Sequence, residues 1–269
     1  MALPIRNSRI KLSQGQIFWR EVGQGTVIVF LHGSWHDSGQ WLPVMEQLNA
    51  EYHCLAPDLL GFGESEQPNL HYSIDVEVEC LAEHLEALKL RRVYLVGHSL
   101  GGWIAASYAL KYLDQVQGLV LLAPEGVEAE GLRRRWWRTR LLQLPITGWG
   151  LRSLYSLRKL LMLHRVERLL QRRRQLREFS VACKLLFQRR RAEIRSEQLQ
   201  DQLKWLKVPV LLLQGEQERA DAKRLNHVYA QLAPDVEQQQ IPHAGDDLIE
   251  TQAEAVAQAI RGFVARTQQ

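Results

Sequence analysis

The amino-acid sequence predicts an α/β fold, in which a mostly parallel sheet carries helices on both faces and is interrupted by an inserted helical segment. Strand-like and helix-like patterns alternate through most of the chain, which is typical of a parallel sheet built with right-handed crossovers. This alternation stops between Leu122 and Val208, where Arg, Leu and Trp recur at helical spacing without a convincing strand. A connection of that length is too long to be structureless, so a small helical subdomain is expected there.

The predicted strands and helices follow one another along the chain. Alternating stretches at 9–12 and 16–22, split by Ser13, Gln14 and Gly15, predict an antiparallel hairpin at one edge of the sheet. Residues 26–31 form a continuous apolar run, as expected for a strand buried on both faces. Further strands are predicted at 52–56, 92–96, 118–122, 208–213 and 236–241, and helices at 40–49, 74–88, 101–112, 222–232 and 251–264.

Composition is that of an ordinary globular protein. Of the 269 residues, 46% are hydrophobic and 24% charged, which excludes wholesale disorder. We expect one α/β core formed by residues 1–124 and 208–269, with residues 125–207 inserted as a basic helical lid. Cys54, Cys80 and Cys183 are too few and too scattered for a disulfide framework, and we expect buried thiols. With no signal-peptide pattern and no apolar run of about 18 residues, a cytoplasmic location is expected.

The small net charge of +4 conceals a strong asymmetry along the chain. Residues 125–207 contain 17 Arg and 4 Lys against 8 acidic residues, a net charge of +13. The rest of the chain carries 13 basic and 22 acidic residues, a net charge of −9. The predicted insertion is therefore the basic part of a nearly neutral protein.

The strongest chemical motif follows the predicted strand 92–96. Residues 97–101 read Gly-His-Ser-Leu-Gly, with Gly102 and a helix after them. This is the G-x-S-x-G nucleophile elbow in its strand, turn and helix context. The tight turn needs neighbours almost without side chains, and it holds the hydroxyl of Ser99 above the sheet at a helix N-terminus, where the dipole favours negative charge.

Two further segments occur in the order found in a known family. Residues 31–35 read Leu-His-Gly-Ser-Trp, and residues 58–65 read Asp-Leu-Leu-Gly-Phe-Gly-Glu-Ser. With the elbow, they resemble the His-Gly oxyanion loop and the D-x-x-G-x-G-x-S segment of the α/β-hydrolase superfamily, of the serine-nucleophile type with a lid. The resemblance implies an oxyanion hole formed by the backbone N–H of Leu100 and that of Ser34 or Trp35. It assigns His32, His98 and the Asp58 segment to packing.

The same resemblance implies an acid after the strand that follows the lid. Glu218 lies where the family has its aspartate, and glutamate is a known replacement. A solvated loop charge is the alternative interpretation of Glu218. Asp221 and Glu125 are backup candidates.

The histidine of the expected triad is absent from its usual place. The family has a P-x-A-G-H loop after the last strand, and here residues 242–246 read Pro-His-Ala-Gly-Asp, so that Asp246 occupies the histidine position. His243, three residues earlier, is the backup base, although a surface histidine is the plainer interpretation. A carboxylate with an ordinary pKa near ~4 is a poor substitute for imidazole. If Glu218 and Asp246 approach each other, one should be driven towards protonation.

The predicted lid combines arginine with apolar side chains. Arg-rich runs at 133–138, 172–174 and 189–191 are separated by Leu-rich segments, and the apolar residues Leu154, Leu157, Leu160, Leu163, Val166 and Leu170 form a stripe at helical spacing. Such a helix suits an anionic membrane surface or a lipid headgroup, but the stripe could equally pack on the core beneath a solvated basic face. Without a helix-turn-helix, RNA-binding or zinc signature, nucleic acid is not expected as a partner.

Two functions from different classes follow. One is a serine hydrolase that acts through Ser99 on an ester-like, apolar or lipid substrate without cofactor or metal, with Glu218 and Asp246 in the remaining catalytic positions. The other is a catalytically silent fold kept as a binding or scaffold protein. Ser99 and both oxyanion segments favour the enzyme, and the missing histidine favours the silent fold.

Overall fold

The computed structural model describes residues 4–130, 136–144 and 164–268. Within them, eight strands form one sheet in the order β1-β2-β4-β3-β5-β6-β7-β8, and every pairing from β4 to β8 is parallel. The hairpin β1-β2 is antiparallel and lies at one edge, as predicted. The strands are β1 (Arg6–Lys11), β2 (Gln16–Val22), β3 (Thr26–Leu31), β4 (Tyr52–Pro57), β5 (Val93–His98), β6 (Val116–Leu122), β7 (Val210–Gly215) and β8 (Val236–Ile241).

Helices connect these strands and cover the sheet. Helix α2 begins at an N-cap, Ser73, whose hydroxyl accepts the N–H of Val76 at 3.1 Å. The helices in the described residues are α1 (Leu42–Leu48), α2 (Ile74–Ala87), α3 (Leu100–Lys111), α4 (Trp137–Gln143), α5 (His164–Glu178), α6 (Ser180–Cys183), α7 (Arg191–Ser196), α8 (Ala220–Leu232), α9 (Leu248–Thr251) and α10 (Ala253–Thr267). The fold class predicted from the sequence is confirmed.

Burial follows the position of each strand in the sheet. The central strands β5 and β6 are buried almost throughout, which is why their sequences read as continuous apolar runs. Strand β8 has the sequence Val-Glu-Gln-Gln-Gln-Ile with four exposed residues in its middle, because it is the edge strand opposite β1. All three cysteines are buried free thiols, and burial raises the pKa of Cys54 to about 12.

The chain divides into two compact units. Met1–Ala129 and Glu197–Gln269 form the unit that contains the sheet, and Glu130–Ser196 forms the other. The proposed lid with bounds 125–207 stays a prediction, and most of its predicted apolar stripe, 154–163, lies outside the described residues. In the described ranges, no helix combines the length and apolar character needed to cross a membrane.

Candidate active site

The end of strand β5 delivers Ser99 into a strained turn. Ser99 is the N-cap of α3, with φ 50° and ψ −110°. A residue other than glycine rarely adopts this backbone conformation, and such strain concentrates at functional sites. Ser99 therefore lies in a strained turn between β5 and α3, and its role as a nucleophile stays a prediction.

The glycines around Ser99 make this turn possible. A Cβ added to Gly97 would lie 2.5 Å from the carbonyl oxygen of Gly101. One added to Gly101 would lie 2.2 Å from the carbonyl oxygen of Leu31, at the end of the neighbouring strand β3. Both contacts are with backbone that has no room to move, so this packing requires glycine at both positions.

Backbone hydrogen bonds hold Ser99 on both sides. Its N–H donates to Leu122 O at 2.9 Å, at the end of strand β6. Its carbonyl oxygen accepts the N–H of Glu125 at 3.0 Å and that of Trp103 at 3.2 Å. Leu100 opens α3 directly after the serine, and the first N–H groups of a helix have no intrahelical partner and favour negative charge.

The loop after β3 places a second hydroxyl beside Ser99. Ser34 is buried, and its Oγ lies 3.5 Å from Ser99 Oγ. A turn closed by the N–H of His36 and the carbonyl oxygen of Gly33, at 3.2 Å, shapes this loop. A Cβ on Gly33 would lie 2.5 Å from His98 Nδ1, so this loop packs directly on the residue before Ser99. The structure thus places Ser34 beside Ser99, and the oxyanion role of Ser34 stays a prediction.

Gln40 holds the loop after β3 in place, a role that sequence reasoning missed. Its Oε1 accepts the N–H of Gly33 at 3.0 Å, and its amide nitrogen contacts His98 Nδ1 at 3.1 Å and Glu250 Oε1 at 3.2 Å. Burial lowers the pKa of His98 to about 3, with His36 and His32 contributing, so His98 stays neutral and accepts from the amide. Gln40 and Glu250 are 210 positions apart, and no local pattern joins them.

His32 and Asp58 are structural residues, as predicted. The Nδ1–H of His32 donates to Gly33 O at 2.9 Å, and its Nε2 accepts the N–H of Leu59 at 3.0 Å. Burial lowers the pKa of His32, which keeps it neutral. The buried carboxylate of Asp58 accepts the N–H of Ser38 at 2.6 Å and that of Glu64 at 2.7 Å.

Glu218 is a buried carboxyl group that follows β7, at the same end of the parallel sheet as Ser99. It is only 6% exposed, and its Oε2 lacks a hydrogen-bond partner among the described residues. Burial raises the pKa of Glu218 to about 7, and the negative charge of Asp246 adds to the rise. Only β6 separates β5 from β7. Strands lie about 4.8 Å apart, so the C-terminal ends of β5 and β7 are about 10 Å apart. Ser99 directly follows β5, and Glu218 lies three residues after the end of β7.

Asp246 and His243 contact residues other than Ser99. Asp246 is exposed, and its carboxylate accepts the backbone N–H of Arg219 at 3.0 Å and lies 3.7 Å from the guanidinium of the same residue. His243 is 85% exposed by side chain and lies 3.8 Å from Glu216. The structure thus brings Asp246 close to Glu218 and leaves His243 on the surface.

Of the two backup acids, Asp221 pairs with an arginine, and Glu125 contacts Ser99 through its backbone. Asp221 lies 3.0 Å from Arg219. Glu125 is buried, its N–H binds Ser99 O at 3.0 Å, and its carbonyl oxygen accepts the hydroxyl of Tyr229 at 2.6 Å. Over the described ranges, no three His, Cys, Asp or Glu side chains are grouped so as to hold a metal ion.

Comparison with known families decides the identity of this fold. A family model described as the alpha/beta hydrolase fold matches residues 26–253, most of the chain. The chain belongs to this α/β-hydrolase family. The family assignment agrees with the elbow and with the order of the strands described above.

Individual relatives match shorter stretches. The chain is 37% identical over 126 residues to 2-hydroxy-6-oxo-2,4-heptadienoate hydrolase of Pseudomonas putida, covering 43% of this chain and 45% of that protein. It is 36% identical over 128 residues to 1-acylglycerol-3-phosphate O-acyltransferase ABHD5 of Mus musculus, covering 44% of this chain and 36% of that protein. The match therefore spans less than half the length of either relative.

A solved structure extends the similarity in fold to the whole chain. A membrane phospholipase A superimposes with a TM-score of 0.76 at 23% identity, covering 100% of this α/β hydrolase and 87% of that chain. At this identity the likeness shows the fold alone.

Proposed function

We propose that this α/β hydrolase is a serine hydrolase that acts on an ester-like, apolar or lipid substrate through Ser99. The observation that carries the proposal is the strained φ of Ser99 at the head of α3, with Ser34 Oγ 3.5 Å away. Strain of this kind costs on the order of 1–3 kcal/mol and persists where function requires it. The backbone N–H groups of Leu100 and Ser34 are the proposed oxyanion donors, each worth a few kcal/mol in acyl transfer.

Glu218 is the proposed base. Imidazole serves in such enzymes because its pKa lies near neutral pH, and burial gives the Glu218 carboxyl a pKa of about 7. The unpartnered Oε2 is free to accept a proton. Because the side chain of Asp246 is shorter than imidazole and bonds to Arg219, a water molecule bridging Ser99 and Glu218 would take the place of the ring.

The proposed steps balance in protons. Ser99 Oγ attacks the ester carbonyl carbon while its proton passes through the bridging water to Glu218. The C–O bond then breaks, and the proton returns from Glu218 through water to the departing alkoxide. A second water, deprotonated in the same way, attacks the acyl-enzyme and releases the acid, and Glu218 returns the proton to Ser99 Oγ. Asp246 keeps the pKa of Glu218 high, so that the carboxyl is a stronger base.

The substrate class follows from two lines of support. Two of the relatives are named for carboxylate or lipid compounds, a 2-hydroxy-6-oxo-2,4-heptadienoate hydrolase and a 1-acylglycerol-3-phosphate O-acyltransferase. The basic segment 125–207, proposed as a lid, offers arginines for an anionic headgroup and leucines for acyl chains. We further propose that this segment brings the protein to anionic membranes, where such lipids reside.

A fluorophosphonate probe tests the proposal without knowledge of the substrate. The parent should be labelled, and Ser99→Ala should not. Glu218→Gln, which keeps shape but cannot accept a proton, should be labelled at least about 10²-fold more slowly, and His243→Ala should match the parent. Labelling of the parent should also rise with pH through about 7, as Glu218 ionises. A parent that is not labelled at any pH would support the silent binding fold instead.

A further inference from the structure

The unit Glu130–Ser196 carries most of the exposed large apolar side chains. Among the described residues, five such side chains are exposed, and four of them belong to this unit: Trp137, Leu141, Leu144 and Leu169. Each of the four is between 42% and 51% exposed. Scattered apolar residues are ordinary on a surface, but a group of four within two helices is not.

Three of them form a stripe on α4. Trp137 and Leu141 lie one turn apart on α4, and Leu144, the C-cap residue directly after the helix, continues their spacing at i+7. The other sides of α4 are packed. Thr139 is buried, Trp136 stacks on Phe187 with ring centroids 5.2 Å apart, and Arg140 donates to the carbonyl oxygen of Phe187.

Helix α5 contributes the fourth exposed apolar residue, Leu169, and the arginines around it. Arg173 is buried and donates to the carbonyl oxygens of Leu142 and Leu144, at 2.9 Å for Leu144, so that it caps the C-terminal end of α4. Leu169 precedes Arg173 by one helical turn on the same face, which places it beside that end. Arg168 and Arg172 are exposed and flank Leu169.

We infer that this α4–α5 face, formed by Trp137, Leu141, Leu144 and Leu169 with Arg168 and Arg172, docks on an anionic lipid bilayer. The charge of α5 supports that occupant: the helix contains six Arg and two Glu. Apolar side chains edged by arginine, with a tryptophan among them, are the composition of a surface that inserts at the level of the headgroups. This inference specifies the membrane contact proposed above, but it is tested by binding without turnover, so either can fail alone.

Co-sedimentation with vesicles tests the inference. The protein should bind vesicles of phosphatidylcholine mixed with phosphatidylglycerol, bind phosphatidylcholine alone much less, and be released as NaCl rises from about 0.05 to about 0.5 M. The pair Leu141→Gln with Leu144→Gln should weaken binding at least about tenfold, since buried apolar area is lost. The pair Arg168→Gln with Arg172→Gln should also weaken binding at least about tenfold, since each arginine near an anionic surface contributes about fivefold.

Trp205→Gln is the matched control. Trp205 is 66% exposed but belongs to the unit with the sheet, so this variant should bind as the parent does. Circular dichroism establishes that each variant is folded. Equal binding to both kinds of vesicle, or variants that bind like the parent, would overturn the inference. So would a parent that is dimeric by light scattering and becomes monomeric in the leucine variant, because the face would then join two copies.

Discussion

Replacing Asp246 by histidine should restore the imidazole that the family has at this position. An imidazole at this position would donate its Nδ1–H to the unpartnered Oε2 of Glu218 and present Nε2 to Ser99 Oγ. The same carboxyl would change role from base to orienting acid. Its raised pKa should then fall, because a hydrogen bond to the ionised form favours that form.

The size of the gain can be worked from the pKa of Glu218. Its rise from 4.5 to about 7 means that the ionised carboxyl lacks about 3 kcal/mol of stabilisation in its buried site. If an imidazolium supplies that amount in the transition state, the rate rises about 10²-fold. The independent range for general acid-base help, about 10² to 10⁴, includes this value.

The assay is kcat/KM for hydrolysis of a short p-nitrophenyl ester, measured from pH 5 to 9 where the ordinary imidazole pKa of about 6.5 falls. Asp246→Asn is the matched control, because it keeps an oxygen for the N–H of Arg219 but offers no base. Asp246→His should be about 10²-fold faster than both parent and Asp246→Asn. The reasoning is refuted if Asp246→His folds normally and shows no gain, or if its gain survives in a Ser99→Ala background.

Three further predictions concern stability. The raised pKa of Glu218 means that its ionisation opposes folding: this cost is absent below about pH 4.5 and is fully present once pH has risen through about 7. Glu218→Gln should therefore be up to about 3 kcal/mol more stable than the parent above pH 7, and nearly equal to it at pH 4, as urea unfolding at several pH values would measure; a constant difference would contradict this. Burial likewise raises the pKa of Glu77 from 4.5 to about 8, so the stability advantage of Glu77→Gln over the parent should grow between about pH 4.5 and 8 and stay constant above. Finally, the φ of 50° at Ser99 favours glycine, so Ser99→Gly should be about 1 kcal/mol more stable than Ser99→Ala; equal unfolding midpoints would show that the turn holds no strain.

Several features could be predicted because their causes are local. Strands β3 and β5 are continuous apolar runs, because a strand that is buried on both faces needs apolar residues along its whole length. The elbow was recognisable for a similar reason: Gly97 and Gly101 are required by backbone contacts a few residues away or in the adjacent strand. The observed bounds of these elements differ from the predicted ones by a few residues. For example, β1 begins at Arg6, whereas the sequence predicted residue 9.

What the tertiary structure decided depends on solvent and on distant partners. The amino-acid sequence alone predicted the sheet from periodicity. Short motifs supplied two further predictions, a nucleophile elbow at Ser99 and Asp246 in the position where the family resemblance expects a histidine. The pKa of Glu218 required the folded chain, because the burial that raises it comes from elements far apart in sequence. The hydrogen bond from Gln40 to Glu250 also required the folded chain, because the two residues are far apart in sequence. The exposed stripe on α4 required it too, because the face of a helix that meets water is determined by what packs against the other side.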